Sequence, residues 1–362
     1  MDCSSFYSQY KHINMRTKLT TLLLLLLGVH SLSAQEQRFN WNVGVITEGQ
    51  WNMTDGRTAW ANLLSAEAGV RLWKGAMLDM SAISTYEAGA SAVEDRQDFS
   101  NINASNRAFR LTHLGLGQQL ADGKVFLFLG LRGADEDYCN TDYAGIFTGS
   151  SYGGLPTITE NSGVSMFPVS ALGVHVEYRP TERWTIRESL YNGCASDRLD
   201  EQFRFRPGRD GVLNFGSAMY EVPAEQGTPA TYTLGYHLGT KQASGEKTDF
   251  GLWASVEQPL FRVGRARVGL LAQGSAQLTK NAMGKGYWAG ALVMEEVTRN
   301  GGVLGLGVNR AYYADGHETD VELTFQCPIG AGFSVQPAMH CIRTDGHTVM
   351  AGQLRLIYEI GN

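Results

Sequence analysis

Met350-Ala351-Gly352-Gln353-Leu354-Arg355-Leu356-Ile357-Tyr358-Glu359-Ile360 is a segment with two unlike faces. Met350, Leu354, Leu356, Tyr358 and Ile360 share one parity; Gln353, Arg355 and Glu359 share the other. A period of two is the signature of a strand with one apolar and one polar side. The same pattern recurs upstream. Val321, Leu323 and Phe325 oppose Glu322, Thr324 and Gln326 in a strand read from about 319 to 327; Phe333, Val335 and Met339 oppose Ser334, Gln336 and His340 in the next. Leu172, Val174, Val176 and Tyr178 oppose His175 and Glu177. From about Phe39 to Ile360 such runs follow one another between turn residues, and sixteen strands can be read.

The connections alternate as well. Short ones are 74–75, 121–123, 180–182, 259–264, 298–301 and 328–330, with 223–229 slightly longer. Between them fall 88–106, 134–166, 193–213, 241–247, 278–285 and 312–318, with 344–346 a short exception. Sorting by parity is expected where hairpins end alternately on the inner and outer side of a membrane. A soluble β-sandwich shares the alternation within strands but has no reason to sort its loops. The expected fold is therefore all-β, a transmembrane antiparallel β-barrel of about 16 strands, with a periplasmic N-terminus and short periplasmic turns.

Composition agrees. The chain carries 43 Gly and only 9 Pro, and charged residues make up 18%. This suits tight turns and aromatic girdles rather than a helical or disordered chain. Leu22 to Leu27 form a short apolar core behind Met15, Arg16 and Lys18, and Ser31, Ser33 and Ala34 follow. That is the pattern of a cleaved signal peptide, too short to span a bilayer as a helix; a buried core helix is the other reading. Residues 1–34 are read as leader, with Met15 the expected initiator, and 35–362 as one barrel domain. Without 1–34 the chain holds 27 basic and 35 acidic residues, net −8, which disfavours nucleic acid as a partner. Outer-membrane lipid is expected around the wall, and its uniformly apolar outer face fits both a homotrimer and a monomer.

Cys139, Cys194, Cys327 and Cys341 match no zinc spacing. Cys327 and Cys341 are expected at opposite ends of one hairpin, about 30 Å apart at ~3.3 Å per residue. Cys139 and Cys194 lie in two outer loops and are open to either a disulfide or two free thiols. The eight His lack metal spacing, so no metal and no cofactor is expected. Gly-Leu-Gly at 115–117 and 305–307 precedes no helix; small residues on a strand face explain it better than nucleotide binding. His113, His175 and His340 fall on the inner parity as wetted lining. A barrel hydrolase would need a Ser beside such a His near the outer rim.

Residues 98–193 resemble the carbohydrate-selective porin family, the OprB-like outer-membrane porins. The pieces come in the family's order: Asp98-Phe99-Ser100-Asn101-Ile102; Asn106-Arg107 and the strand ending Gly117-Gln118-Gln119-Leu120; Ala134-Asp135-Glu136-Asp137-Tyr138; Asp142-Tyr143-Ala144-Gly145-Ile146-Phe147 with Ser151-Tyr152-Gly153; Phe167-Pro168 through Val174; and Tyr191-Asn192-Gly193. Val335-Gln336-Pro337 resembles a later strand. His113, Gly117 and Leu131 depart from the pattern, and the last residue is not aromatic. The resemblance implies a passive, water-filled pore for small polar solutes, carbohydrates in particular, and no enzyme. In large porins the third outer loop folds inward. Here that loop brings Asp135, Glu136, Asp137, Tyr138, Asp142 and Tyr143, acids and aromatics suited to sugar hydroxyls and C–H faces; the plainer reading is a solvated loop tacked to the wall by its aromatics. The family's constriction sets arginines against acids, for which Arg107, Arg110, Arg132 and Arg187 are the candidates. A non-conducting barrel whose surface loops bind a ligand or partner is the alternative.

Overall fold

The computed structural model describes residues 38–224, 227–240 and 248–362. The leader 1–34 and the loop 241–247 lie outside the described residues. The strands are β1 (Phe39–Asn52), β2 (Thr58–Trp73), β3 (Ala76–Ala88), β4 (Arg107–Leu120), β5 (Val125–Arg132), β6 (Ala171–Thr181), β7 (Trp184–Asn192) and β8 (Val212–Val222). There follow β9 (Ala230–Thr240), β10 (Thr248–Val263), β11 (Ala266–Gln277), β12 (Gly284–Glu295), β13 (Val303–Tyr313), β14 (Gly316–Gly330), β15 (Phe333–Thr344) and β16 (His347–Gly361). Each pairs antiparallel with its chain neighbours, and β1 pairs with β16, from Asn42 opposite Gly361 to Asn52 opposite Ala351. The barrel is closed, so no strand edge is left with unpaired backbone groups, the condition for crossing hydrocarbon.

The two faces fall as the alternation requires. On β16, Leu354 and Leu356 are exposed on the outer wall while Gln353 and Arg355 are buried inside. Exposed aromatics ring both ends of the wall: Trp73, Trp184, Tyr232 and Phe261 near the short turns, Trp60, Tyr86, Phe109 and Trp288 near the loops. Such girdles mark the two membrane–water interfaces. The exposed apolar wall runs around the barrel and singles out no strand pair.

Three hairpins differ from the sequence reading. β10 runs through Pro259 to Val263 and β14 through Pro328 to Gly330, so the short turns sit later, at 264–265 and 331–332. Both prolines mark register shifts, where a strand tolerates a missing N–H donor. The expected longer outer loop 312–318 is instead the two-residue connection 314–315, because β13 and β14 stay paired up to Tyr313 opposite Gly316. The four described cysteines are free thiols. Cys341 pairs with Val321, six residues from Cys327, so that pair is separated by roughly 20 Å at ~3.3 Å per residue, less than expected but beyond bridging.

Two long loops define the interior. L2 (89–106) and L3 (133–170) both fold into the barrel. L2 buries Ala92, Val93 and Phe99 against Ile342 and Ala351. L3 buries Tyr138, Tyr143, Phe147, Tyr152 and Ile158 against the inner faces of β7 to β13. The two loops bond to each other: Asn101 N donates to Thr148 O at 2.7 Å and Ser150 N to Asp98 O at 2.9 Å.

Candidate functional site

The inner face of β10 to β16 is built to receive loop backbone. Glu257 on β10 accepts Tyr143 N at 2.6 Å. Glu322 on β14 accepts Thr148 N at 2.7 Å, Thr148 Oγ1 at 2.8 Å and Gly149 N at 3.1 Å. Gln273 donates to Tyr152 O, Gln336 to Ile146 O and Gln353 to Phe99 O. Glu318 accepts Arg96 N and Gln97 N of L2. Every irregular backbone group put inside a barrel needs a partner, and these strand side chains provide it.

Glycines on the same face make room for the loop aromatics. The Tyr143 ring lies on Gly269 of β11, and Phe147 lies over Gly305 and Gly307 of β13. Phe147 and Tyr152 stack with centroids 4.2 Å apart. Gly-Leu-Gly at 305–307 is thus a seat for aromatics. Likewise Gly115 and Gly117 of β4 lie under Phe128 and Phe126 of β5. The loop aromatics Tyr143, Phe147 and Tyr152 tack L3 to the wall.

The charged neck forms where L3 leaves β5. Arg132, at the end of β5, donates from Nε and Nη2 to both oxygens of Asp137, at 2.6 and 2.7 Å. This bidentate pair is the geometry that best fixes both partners. Arg187 on β7 reaches Glu177 at 2.8 Å and Asp137 O at 3.2 Å. Arg179 reaches the other oxygen of Glu177 at 2.6 Å. Glu136 faces Arg132 at 3.7 Å and His113 at 3.6 Å.

One helical turn, Asp135–Tyr138, distributes four consecutive side chains among different surroundings. Asp135 lines an outer cavity of about 340 Å³ between L2 and L3, with Arg96, Asn140 and Glu160. Glu136 and Arg132 line an inner cavity of about 340 Å³ with Glu67 and Asp79. Asp137 and Arg132 line a third with Phe126 and Arg179, which adjoins the mouth near Lys124 and Arg183. Tyr138 turns the other way, onto Phe215, with its hydroxyl 2.8 Å from Ser189 Oγ. Burial and the neighbouring Glu136 push the Asp135 carboxyl up to about 6.

The candidates divide accordingly. Arg132, Arg187, Asp135, Glu136 and Asp137 line the cavities or hold their lining. Tyr143 is an anchor, and exposed Asp142 adjoins it. Arg107 and Arg110 stand apart at the loop end of β4, where both pair with Asp197 of the loop 193–211, at 3.0 and 3.5 Å. Arg110 also holds Thr85 and Ser105. Arg179, Glu177 and Glu322 are additions. Their inward phase was readable, but their partners come from loops distant in sequence. His113, His175 and His340 are all buried; His113 and His175 border the cavities beside Arg132, and His340 lies under the L3 tip. Ser189 Oγ is 2.7 Å from His175 Nδ1, but Asp137 approaches that same nitrogen at 3.5 Å. A proton relay needs them on opposite ring nitrogens.

Solved structures similar to this chain include porins and other outer-membrane proteins. One is Pseudomonas putida OprB at high pH, with TM-score 0.74 and 15% identity over 89% of this chain and 94% of that one. The low-pH form gives 0.62 and 17% identity over 98% and 100%. The anion-selective porin of Comamonas acidovorans gives 0.54 and 9% over 89% and 98%. No curated protein matches by sequence. The model of the carbohydrate-selective porin family, OprB, matches residues 53–352. That span takes in β2 to β15, both inward loops and the paired charges of the neck: the chain belongs to the OprB family of carbohydrate-selective porins and forms a passive outer-membrane channel for carbohydrates.

Proposed function

We propose that solutes cross on the β1–β7 side of the lumen, past Arg132 and Asp137, from the L2–L3 vestibule to the mouth beside β6 and β7. The observation that carries this is that the inner cavity and the cavity beside Phe126 meet at Arg132, opposite the half of the lumen that L3 fills. The L2–L3 cavity and the inner cavity, about 340 Å³ each, are near the lower size limit of a small-ligand pocket. The charges of the neck are mostly paired with one another: Arg132 with Asp137, Arg187 and Arg179 with Glu177. Paired charges offer fixed donors and acceptors with a small net potential, which suits a neutral polyhydroxyl solute better than an ion. The chain begins its first strand on the short-turn side, which we assign to the periplasm.

Planar-bilayer recording tests the path. Discrete steps are expected, with current reduced by maltooligosaccharides and restored on washing. Folded protein without steps would instead favour a ligand-binding barrel. Current indifferent to a sugar panel would leave a general pore.

The raised carboxyl of Asp135 adds a pH dependence. It is charged above about pH 6 and neutral below. Cation preference is therefore expected to fall as pH drops from 7 to 5, read as a shift in reversal potential across a KCl gradient. Asp135→Asn is expected to flatten that profile. Stability runs the opposite way: the folded chain holds this proton to higher pH than the unfolded chain, so this group's contribution weakens as pH rises from the ordinary carboxylate range to about 6.

A further inference from the structure

Behind the tip of L3, two carboxylates and one imidazole meet on the lumen face. Asp320 and Glu322 stand two residues apart on β14, and His340 is the cross-strand partner of Glu322 on β15. Their donor atoms lie within 4.8 Å of one another. The three are 3%, 0% and 0% exposed. Among the described residues no Arg or Lys forms an ion pair with them; the one ion pair is internal, His340 Nδ1 to Asp320 Oδ2 at 2.8 Å.

A second observation comes from outside the cluster. Asn309 on β13 is the cross-strand partner of Asp320 and is 1% exposed. Its Oδ1 has no hydrogen-bond partner, and neither has Asp320 Oδ1. The hydroxyl of Tyr287, on the same inner face of β12, is likewise unpartnered. Paired positions on neighbouring strands, Asn309 and Asp320, thus each leave a buried acceptor oxygen without a hydrogen-bond partner. An unsatisfied buried acceptor costs about 1–3 kcal/mol, and a cation beside both relieves both.

We propose that Asp320, Glu322 and His340 bind a divalent transition-metal ion of the zinc class, which ties the L3 tip to the wall. The donor set selects the class: imidazole with carboxylates suits zinc and its neighbours, whereas calcium and magnesium take all-oxygen shells. Donors at ~2.1 Å from a metal stand closer together than 4.8 Å, so the side chains must draw in by about 1 Å. The loop tip is part of the arrangement, since Thr148 Oγ1 lies 2.8 Å from Glu322 Oε1 and 2.9 Å from His340 Nε2. The cluster is sealed by L2 and L3, so the ion enters as the loops dock during folding.

The test refolds the full chain in detergent with EDTA or with ZnCl2, desalts it and measures retained metal by mass spectrometry. Stoichiometric zinc is expected, with zinc-refolded protein more resistant than EDTA-refolded protein to protease cleavage within L3. Asp320→Asn and His340→Gln are each expected to lower retained zinc ~10-fold or more, while His347→Gln at the exposed β16 end retains it. Heat-shifted gel mobility establishes folding of each variant, and isosteric Asp320→Asn decides if His340→Gln does not fold. Folded parent that retains no zinc, retention equal in Asp320→Asn and parent, or calcium and magnesium retained in zinc's place would each overturn the proposal.

Discussion

A Gly307→Val porin is expected to carry larger and noisier single-channel currents than the parent, with the barrel itself intact. A Cβ at Gly307 would stand 2.9 Å from Phe147 Cε1 and 3.1 Å from Phe147 Cζ, and would also collide with the Tyr152 hydroxyl. Both rings are almost fully buried and stacked on each other, so neither can yield without moving the other. Overpacking of this kind costs about 1–3 kcal/mol. Charged to the docking of L3, that is a shift of roughly five- to 150-fold toward an undocked loop. β13 should tolerate valine well, because a branched side chain suits a strand. Gly290→Val is the control: a Cβ there meets nothing within 4 Å, and its currents should match the parent. Bilayer recording checks both. Unchanged conductance in folded Gly307→Val would mean that L3 does not limit the pore.

Asp137→Asn is expected to move ion selectivity toward anions by about tenfold, equivalent to about 1.4 kcal/mol. The substitution removes a negative charge from the neck and frees Arg132 from its bidentate partner. Half-shielded unit charges a few ångströms from a permeating ion act with energies of about 4 kcal/mol at most, so a tenfold change is within reach. Reversal potentials in a salt gradient read it directly. The chain should still fold, since asparagine keeps one acceptor for Arg132. Arg132→Ala should move selectivity the other way and cost more, because it leaves the enclosed Asp137 carboxylate without its guanidinium. Identical reversal potentials in parent and both variants would remove this pair from the conducting path.

Much of the barrel was legible because a lipid-facing strand obeys a strict rule. A shift of one residue on β16 would turn Arg355 and Glu359 into hydrocarbon, so period-two patterning specifies face and register together. Exceptions to the strand ends came at Pro259 and Pro328, where sequence reads a turn but a bulge lets the strand continue. The acidic, aromatic stretch after β5 was also legible as a long loop, and Asp135 to Asp137 lie in it beside Arg132 of β5 and Arg187 of β7. Arg107 and Arg110 were not separable from them by parity, since an inward phase does not say what a side chain meets.

Local sequence, then, determined the wall: strand alternation and turn parity act over neighbouring residues and are written in order along the chain. The content of the lumen was decided in three dimensions. Inward Glu257, Glu322 and Gln353 look like wetted lining on their own strands. They become loop anchors because Tyr143, Thr148 and Phe99 arrive from more than a hundred residues away. The glycines beneath Tyr143 and Phe147 carry no side chain to announce a partner. Only the folded barrel brings seat and ring together, and that contact decides which side of the lumen L3 fills.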